Sequence, residues 1–364
     1  VTNIESRVLE FIREPGGEAE FNELALAVFE YQYERIPVYR RFCARRGSEP
    51  SRIKQWENVP ALPADAFKHG LDARERAHIF LSSGTTAGLE RRSCHAVESL
   101  AAYEASALSH FRAMALADEP GPLATLVLGP TASSHLHSSL GRMFTWCIEH
   151  FASENHLIAF DHEGRADVPA AVDWLAERSR GTAPVLILAV TSALTAVLEA
   201  LRDRHGPFRL PADSRIVDTG GRKGTAHVLS PRGLLKGAWR WLHVPAYLCV
   251  NEYGMTEMFS QFYDDALESR AAGRLSPRAK VGPPWVRTRV VDPATLEPVP
   301  PGTVGLLRHF DLANWESVSA LQTLDLGREI GMGFELCGRA SGAEARGCSA
   351  LVTEIVDARS DGGA

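Results

Sequence analysis

The sequence predicts an α/β protein built on doubly wound, mainly parallel sheets, with a small β-rich subdomain after them. Three observations carry that expectation. Residues 123–128 form an apolar run of strand length that stops at Gly129-Pro130, as a strand covered on both faces does. The pattern of strand followed by a polar loop returns at residues 184–190 and 214–219, with helix-periodic stretches between, the alternation that builds a parallel sheet. From Gly282 the texture changes to short β-like runs at 286–291 and 304–308, separated by Asp292-Pro293 and Pro300-Pro301-Gly302, and such residues mark turns.

Taken in order, residues 4–47 place Val8, Phe11, Leu24, Val28, Phe29 and Tyr33 at helical spacing. Two or three amphipathic helices therefore open a helical N-terminal region, residues 1–70. Pro60 and Pro63 interrupt residues 56–68, which forbids a continuous helix and favours an extended approach. A short apolar run, Ala77-His78-Ile79-Phe80, leads into Leu81-Ser82-Ser83-Gly84-Thr85-Thr86-Ala87-Gly88. Residues 96–116 resume helical periodicity through Leu100, Tyr103, Ala107 and Phe111, and residues 140–151 do so after a loop holding His135 and His137. Another apolar strand is expected at 246–250, and a β-rich subdomain at about 282–324. Residues 325–353 are rich in glycine, and residues 357–364 read as a frayed tail.

Composition excludes several classes. With 364 residues, 45% hydrophobic and 23% charged, the chain is long enough for two or more structural units. A net charge of −6 gives no footprint for nucleic acid. The six cysteines fall without CxxC spacing, so neither a disulfide framework nor a zinc site is expected. No basic-then-apolar leader opens the sequence and no window reaches membrane-spanning length, so membrane insertion is not expected and a reducing cytoplasm is the default compartment.

Three stretches bear chemistry. Ser82, Ser83, Gly84, Thr85 and Thr86 read either as an ordinary turn or as a phosphate-holding loop, since glycine admits close backbone approach and hydroxyls donate to phosphate oxygens. Asp218-Thr219-Gly220-Gly221-Arg222-Lys223-Gly224 follows an expected strand. It is either a plain strand-to-helix turn or a surface for a flat base or phosphate, at Gly220 and Gly221. Asn251-Glu252-Tyr253-Gly254-Met255-Thr256-Glu257 orders an aromatic, a hydroxyl and a carboxylate. Those three groups can stack on a purine, bond a phosphate and hold Mg²⁺; the plainer alternative is a core tyrosine beside a helix cap. His135 and His137 lack a third metal ligand, Glu98, Asp218 and His227 come with no GxSxG elbow, and no GxxxxGK[ST] occurs.

Together the Ser/Thr/Gly loop and the later Tyr-Gly-x-Thr-Glu motif resemble the adenylate-forming (ANL) superfamily. The resemblance implies an ANL-type large domain over residues 1–324 and a short hinge and C-terminal tail over 325–364, with the mobile C-terminal domain truncated. It implies that Tyr253, beside Gly254, stacks on adenine, that Thr85, Thr86 and Thr256 touch phosphates, that Glu257 ligates Mg²⁺, and that Asp325 and Arg339 serve ribose and hinge. ATP would activate a carboxylic acid as its adenylate. The loop departs from the usual pattern after Thr86, leaving the basic role to Arg91 or Arg92. Thr219-Gly220-Gly221, Phe67-Lys68, Ser138-Ser139-Leu140 with Met143, Gly338-Arg339 and Arg346-Gly347-Cys348-Ser349 look like the acyl-protein synthetase (LuxE-type) branch. That branch implies acyl transfer from AMP to Cys348, fatty acids as default substrates, and an acyl-accepting reductase, transferase or carrier protein as partner. Arg346 favours the Cys348 thiolate electrostatically, while Cys337 is the rival candidate, whose neighbours Phe334 and Leu336 suggest packing. Two alternatives stand beside this one: a ligase loading coenzyme A or a carrier protein, and a non-catalytic nucleotide- or acyl-binding scaffold.

Overall fold

The computed structural model describes residues 3–69, 71, 76–82, 92–118, 121–220, 228–274, 278–340 and 351. The chain divides into two units, residues 1–109, 255–262 and 279–364 in the first and residues 110–254 and 263–278 in the second.

The first unit opens with α1 (Asn3–Arg13), α2 (Glu18–Arg35) and α3 (Pro37–Arg45), the helices the N-terminal spacing predicts. Pro37 begins α3, where its missing N–H would have had no helical partner. Phe21 of α2 meets Phe11, Trp56 and Phe310 edge-on at centroid distances of 5.8–6.1 Å. The proline-bearing stretch is less extended than expected. It forms two short helical turns, Trp56–Asn58 and Ala64–His69, around β1 (Leu62–Pro63), because both prolines fall outside them, Pro60 between the turns and Pro63 in β1 just before the second. β2 (His78–Leu81) and β3 (Cys94–Val97) then form an antiparallel hairpin. α4 (Ala101–Ala115) follows and is shorter than its periodicity suggests, since residues 96 and 97 belong to the hairpin.

The second unit is wound around parallel strands. β4 (Leu123–Leu128), α5 (Ser139–Phe151), β5 (Ala152–Ile158), α6 (Val168–Arg178), β6 (Val185–Val190), α7 (Thr191–Ala200), β7 (Arg215–Thr219), α8 (Pro231–Gly237) and β8 (Cys249–Tyr253) alternate along the chain. The strands lie in the order β8-β7-β6-β4-β5, all parallel. Leu126, Leu128, Ile187, Ala189 and Ile216 bury one face against Leu175, Leu194, Leu198 and Leu234. The expected strand at 246–250 begins later. Residues 246–248 turn after Pro245, and the strand runs on to Tyr253.

After β9 (Phe262–Asp264) and α9 (Ala266–Ala271), the chain returns to the first unit as β10 (Lys280–Val281), β11 (Val286–Val291), β12 (Gly305–Asp311), β13 (Ala320–Ile330) and β14 (Gly333–Arg339). These pair antiparallel in the order β11-β12-β13-β14-β10. The start of the glycine-rich region, expected to begin a hinge at Asp325, is therefore strand over residues 325–330 and 333–339, with Asp325 in the middle of β13. Its glycines mark close approach. A Cβ on Gly327 would stand 2.9 Å from Glu335 O and 2.7 Å from Leu307. Beyond Ala340 the structure describes Leu351, which is buried.

Candidate functional site

In the second unit the parallel order sets the loops after β4, β6, β7 and β8 along one edge, the carboxyl edge where α/β sheets bind ligands. The ends of β7 and β8 are in register, with Asp218 opposite Asn251 and Thr219 opposite Glu252. A buried polar lattice ties them. Asn251 Nδ2 donates to Asp218 Oδ2 at 2.9 Å, and the Thr191 hydroxyl at the start of α7 lies within 3.0 Å of Asp218 Oδ2, Thr219 O and Gly220 O. The Thr219 hydroxyl donates to the Glu252 carboxylate. Gly220 leaves the sheet at φ +92°, with nothing within 4 Å of where a Cβ would sit. Only its backbone conformation demands glycine, and the residue is exposed. Tyr253, the last residue of β8, is half-buried and Gly254 is exposed.

The chain crosses into the first unit between Gly254 and Met255, so Thr256 and Glu257 begin the other half of the motif. They sit in a turn closed by Met258 N donating to Met255 O at 3.2 Å. Phe259 anchors that turn, stacked between Tyr103 (4.6 Å) and His95 (4.5 Å). His95 donates from Nδ1 to Thr256 O at 2.9 Å, and burial drives its imidazole down to about 4, so it is neutral with the proton on Nδ1. Asn314 Nδ2 donates to Glu257 O at 2.8 Å. Glu257 itself is 9% exposed. Asp325 and Arg339 pair across β13 and β14, with Nη1 and Oδ1 4.0 Å apart. Ser82 closes the β2–β3 hairpin: its N–H donates to Ser93 O, and its Oγ accepts from Ser93 N, each at 3.0 Å. Of the expected residues, Gly220, Tyr253 and Gly254 belong to the second unit, and Ser82, Thr256, Glu257, Asp325 and Arg339 to the first. Ser83, Gly84, Thr85, Thr86, Arg91, Gly221 and Cys348 lie outside the described residues.

The sequence profile of the LuxE acyl-protein synthetases matches residues 4–356. The chain belongs to the LuxE family. Over 88 residues this LuxE-family chain is 34% identical to the long-chain-fatty-acid–luciferin-component ligase of Vibrio harveyi, a match covering 22% of the chain and 23% of that relative. Its fold is that of the adenylate-forming ligases. A 2-hydroxyisobutyryl-CoA ligase solved in an open conformation with 2-HIB-AMP and CoA superposes with TM-score 0.62 at 17% identity, over 88% of the chain and 70% of that structure. A long-chain-fatty-acid-CoA ligase from Archaeoglobus fulgidus gives TM-score 0.50 at 15% identity, over 72% and 51%.

Burial works against reactivity in all the described cysteines. It raises the Cys43 and Cys249 thiols to about 12, pushes Cys147 up further and raises Cys94. Cys337 corrects an expectation: it is exposed on β14, not packed, because β14 turns Phe334 inward and its neighbours outward. Its thiol is nonetheless raised, by partial burial and then by the Glu335 charge, and a protonated thiol is a poor nucleophile. His135 is held by the Ser134 hydroxyl at 2.9 Å, and no group of three or more His, Cys, Asp or Glu able to hold a metal occurs among the described residues. Sequence reasoning missed His95, Asn314 and the Thr219–Glu252 pair. The first two act on backbone atoms far away in sequence, and no local motif announces that.

Proposed function

We propose that this LuxE-family chain uses ATP and Mg²⁺ to activate a carboxylic acid, by family default a fatty acid, as the acyl-adenylate, and passes the acyl group to Cys348 for delivery to a partner reductase, transferase or carrier protein. The observation that carries the reading is the split motif. Tyr253 ends a parallel strand beside the Gly220 turn, and Thr256 and Glu257, three and four residues on, are held in a turn fixed by buried side chains. On this reading Tyr253 stacks on the base, and the Gly220 turn, open where a Cβ would sit, admits a ligand close to the backbone. Thr256 offers a hydroxyl to phosphate. Glu257 offers a single carboxylate, which suits Mg²⁺, an ion held by one or two carboxylates together with substrate phosphates and water. Bound there, the ion would neutralise charge on phosphate oxygens.

In the first step a carboxylate oxygen attacks the α-phosphorus, the bond to the bridging oxygen breaks, and pyrophosphate leaves. In the second, the Cys348 thiolate attacks the acyl carbon, AMP leaves with the electron pair of the C–O bond, and a thioester remains. Acid-dependent ATP–pyrophosphate exchange across a panel of aliphatic and aromatic acids tests the first step. A hydroxylamine-labile acyl label lost in Cys348→Ser tests the second. Exchange with labelling unchanged in that variant removes Cys348 from the mechanism, and acid-dependent consumption of coenzyme A, undiminished in the variant, moves the acceptor to coenzyme A.

A further inference from the structure

The connection from β12 to β13, residues Asp311 to Ser319, is buried at every position although it is neither helix nor strand for most of its length. Connections normally run over the surface, because a buried loop must satisfy all its polar groups internally. This one carries Asp311, Asn314, Glu316, Ser317 and Ser319 inside, and its side chains reach away from the loop. Their partners fall in two groups.

Asn314 and Asp311 hold the turn after Gly254. Asn314 Nδ2 donates to Glu257 O at 2.8 Å and Asn314 Oδ1 accepts from Phe259 N at 2.9 Å. Asp311 accepts from Ser260 N at 2.9 Å and from the Ser260 hydroxyl at 2.7 Å. Glu316 holds the open end of the β2–β3 hairpin. One carboxylate oxygen takes Arg76 Nη1 at 2.6 Å, just before β2, and the carboxylate accepts Glu98 N and Ser99 N at 2.9–3.1 Å, just after β3. The hairpin strands flank residues 83–91. From behind, Gln32 of α2 clamps the connection, donating from Nε2 to Asn314 O, Trp315 O and the Ser319 hydroxyl and accepting from Ser319 N.

We propose that the Asp311–Ser319 connection is the positioning element of the adenylation site: Asn314 fixes the turn bearing Thr256 and Glu257, and Glu316, two residues on, fixes the hairpin closed by Ser82. The inference rests on the adenylation reading above. One rigid segment grips both ATP-facing elements of the first unit, so neither shifts without the other, which is the preorganisation that oriented catalysis needs. Asn314 and Glu316 touch backbone and Arg76 only, so they are positioning residues.

The test uses wild type, Glu316→Gln and Asn314→Asp, both nearly isosteric. Amide hydrogen exchange of the free protein should quicken about tenfold in peptides covering residues 94–99 for Glu316→Gln and residues 256–260 for Asn314→Asp, with β4 to β7 unchanged. In acid-dependent pyrophosphate exchange, KM for ATP should rise about tenfold in both variants. Should one variant fail to fold, the other tests the same connection from its opposite end. Unchanged local exchange, or quickened exchange with an unchanged KM, overturns the positioning role. No pyrophosphate exchange from wild type with any acid sinks the adenylation reading and this inference together, whereas a wild type that exchanges beside variants with wild-type KM sinks this inference alone.

Discussion

His309 makes the interior of β12 a sensor of acid. It is 1% exposed, its Nδ1 lies 2.9 Å from the Thr288 hydroxyl, and its ring faces Phe262 at 4.8 Å and Phe334 at 5.9 Å. Burial drives its imidazole down to about 3. The unfolded chain titrates at about 6.5, so below that pH the unfolded state takes up a proton that the folded state refuses. The stabilisation is therefore complete above about pH 6.5 and is lost progressively as pH falls toward the folded value. At pH 4.5, two units down, about 1.4 kcal/mol per unit gives a loss of about 3 kcal/mol. His309→Gln removes the titration and keeps a polar atom for Thr288. Urea unfolding followed by tryptophan fluorescence at pH 7.5 and 4.5 should show wild type losing about 3 kcal/mol more than the variant. Taking the difference cancels His95 and Asp311, which titrate in both proteins. Profiles that run parallel to within about 0.5 kcal/mol would refute the reasoning.

Two further outcomes are expected. Gly220→Ala meets no steric obstacle but must hold φ +92°, so it should cost about 1–2 kcal/mol, read as a lowered unfolding midpoint; an unchanged midpoint would mean the turn relaxes to another conformation. Asp325→Asn loses a half-exposed pair with Arg339 at 4.0 Å and should change stability by less than about 1 kcal/mol. If Asp325 holds the ribose hydroxyls, its KM for ATP should still rise about tenfold, and an unchanged KM takes that role away.

The sequence reveals the parallel unit well, because β4 and β6 are covered on both faces and so read as plain apolar runs; β7 is buried too but carries Arg215, Asp218 and Thr219 around Ile216-Val217. The antiparallel part is harder. β13 alternates apolar residues with Gln322, Thr323, Asp325 and Arg328, and Gly327 and Gly338 imitate a loop while serving a bulge and a close strand approach. β3 hides for another reason: His95 is a polar residue at a wholly buried position, made tolerable by Thr256 O and the Phe259 ring, partners some 160 residues away. The ordered motif around Tyr253 is local and therefore legible. The side chains that hold it, Asn314 and Asp311, look in sequence like an ordinary polar turn.

On the proposed reading, Leu351 also constrains how far an acyl group could travel. It is 3% exposed, and a fully extended chain spans at most about 3.5 Å per residue, so three residues reach about 11 Å. While Leu351 stays docked, the backbone of Cys348 is on a leash of that radius. A cysteine loaded at one centre and emptied at another on a partner must either find both within the leash or slip it. On the proposed reading, the docking of one apolar side chain therefore bears on both loading and delivery.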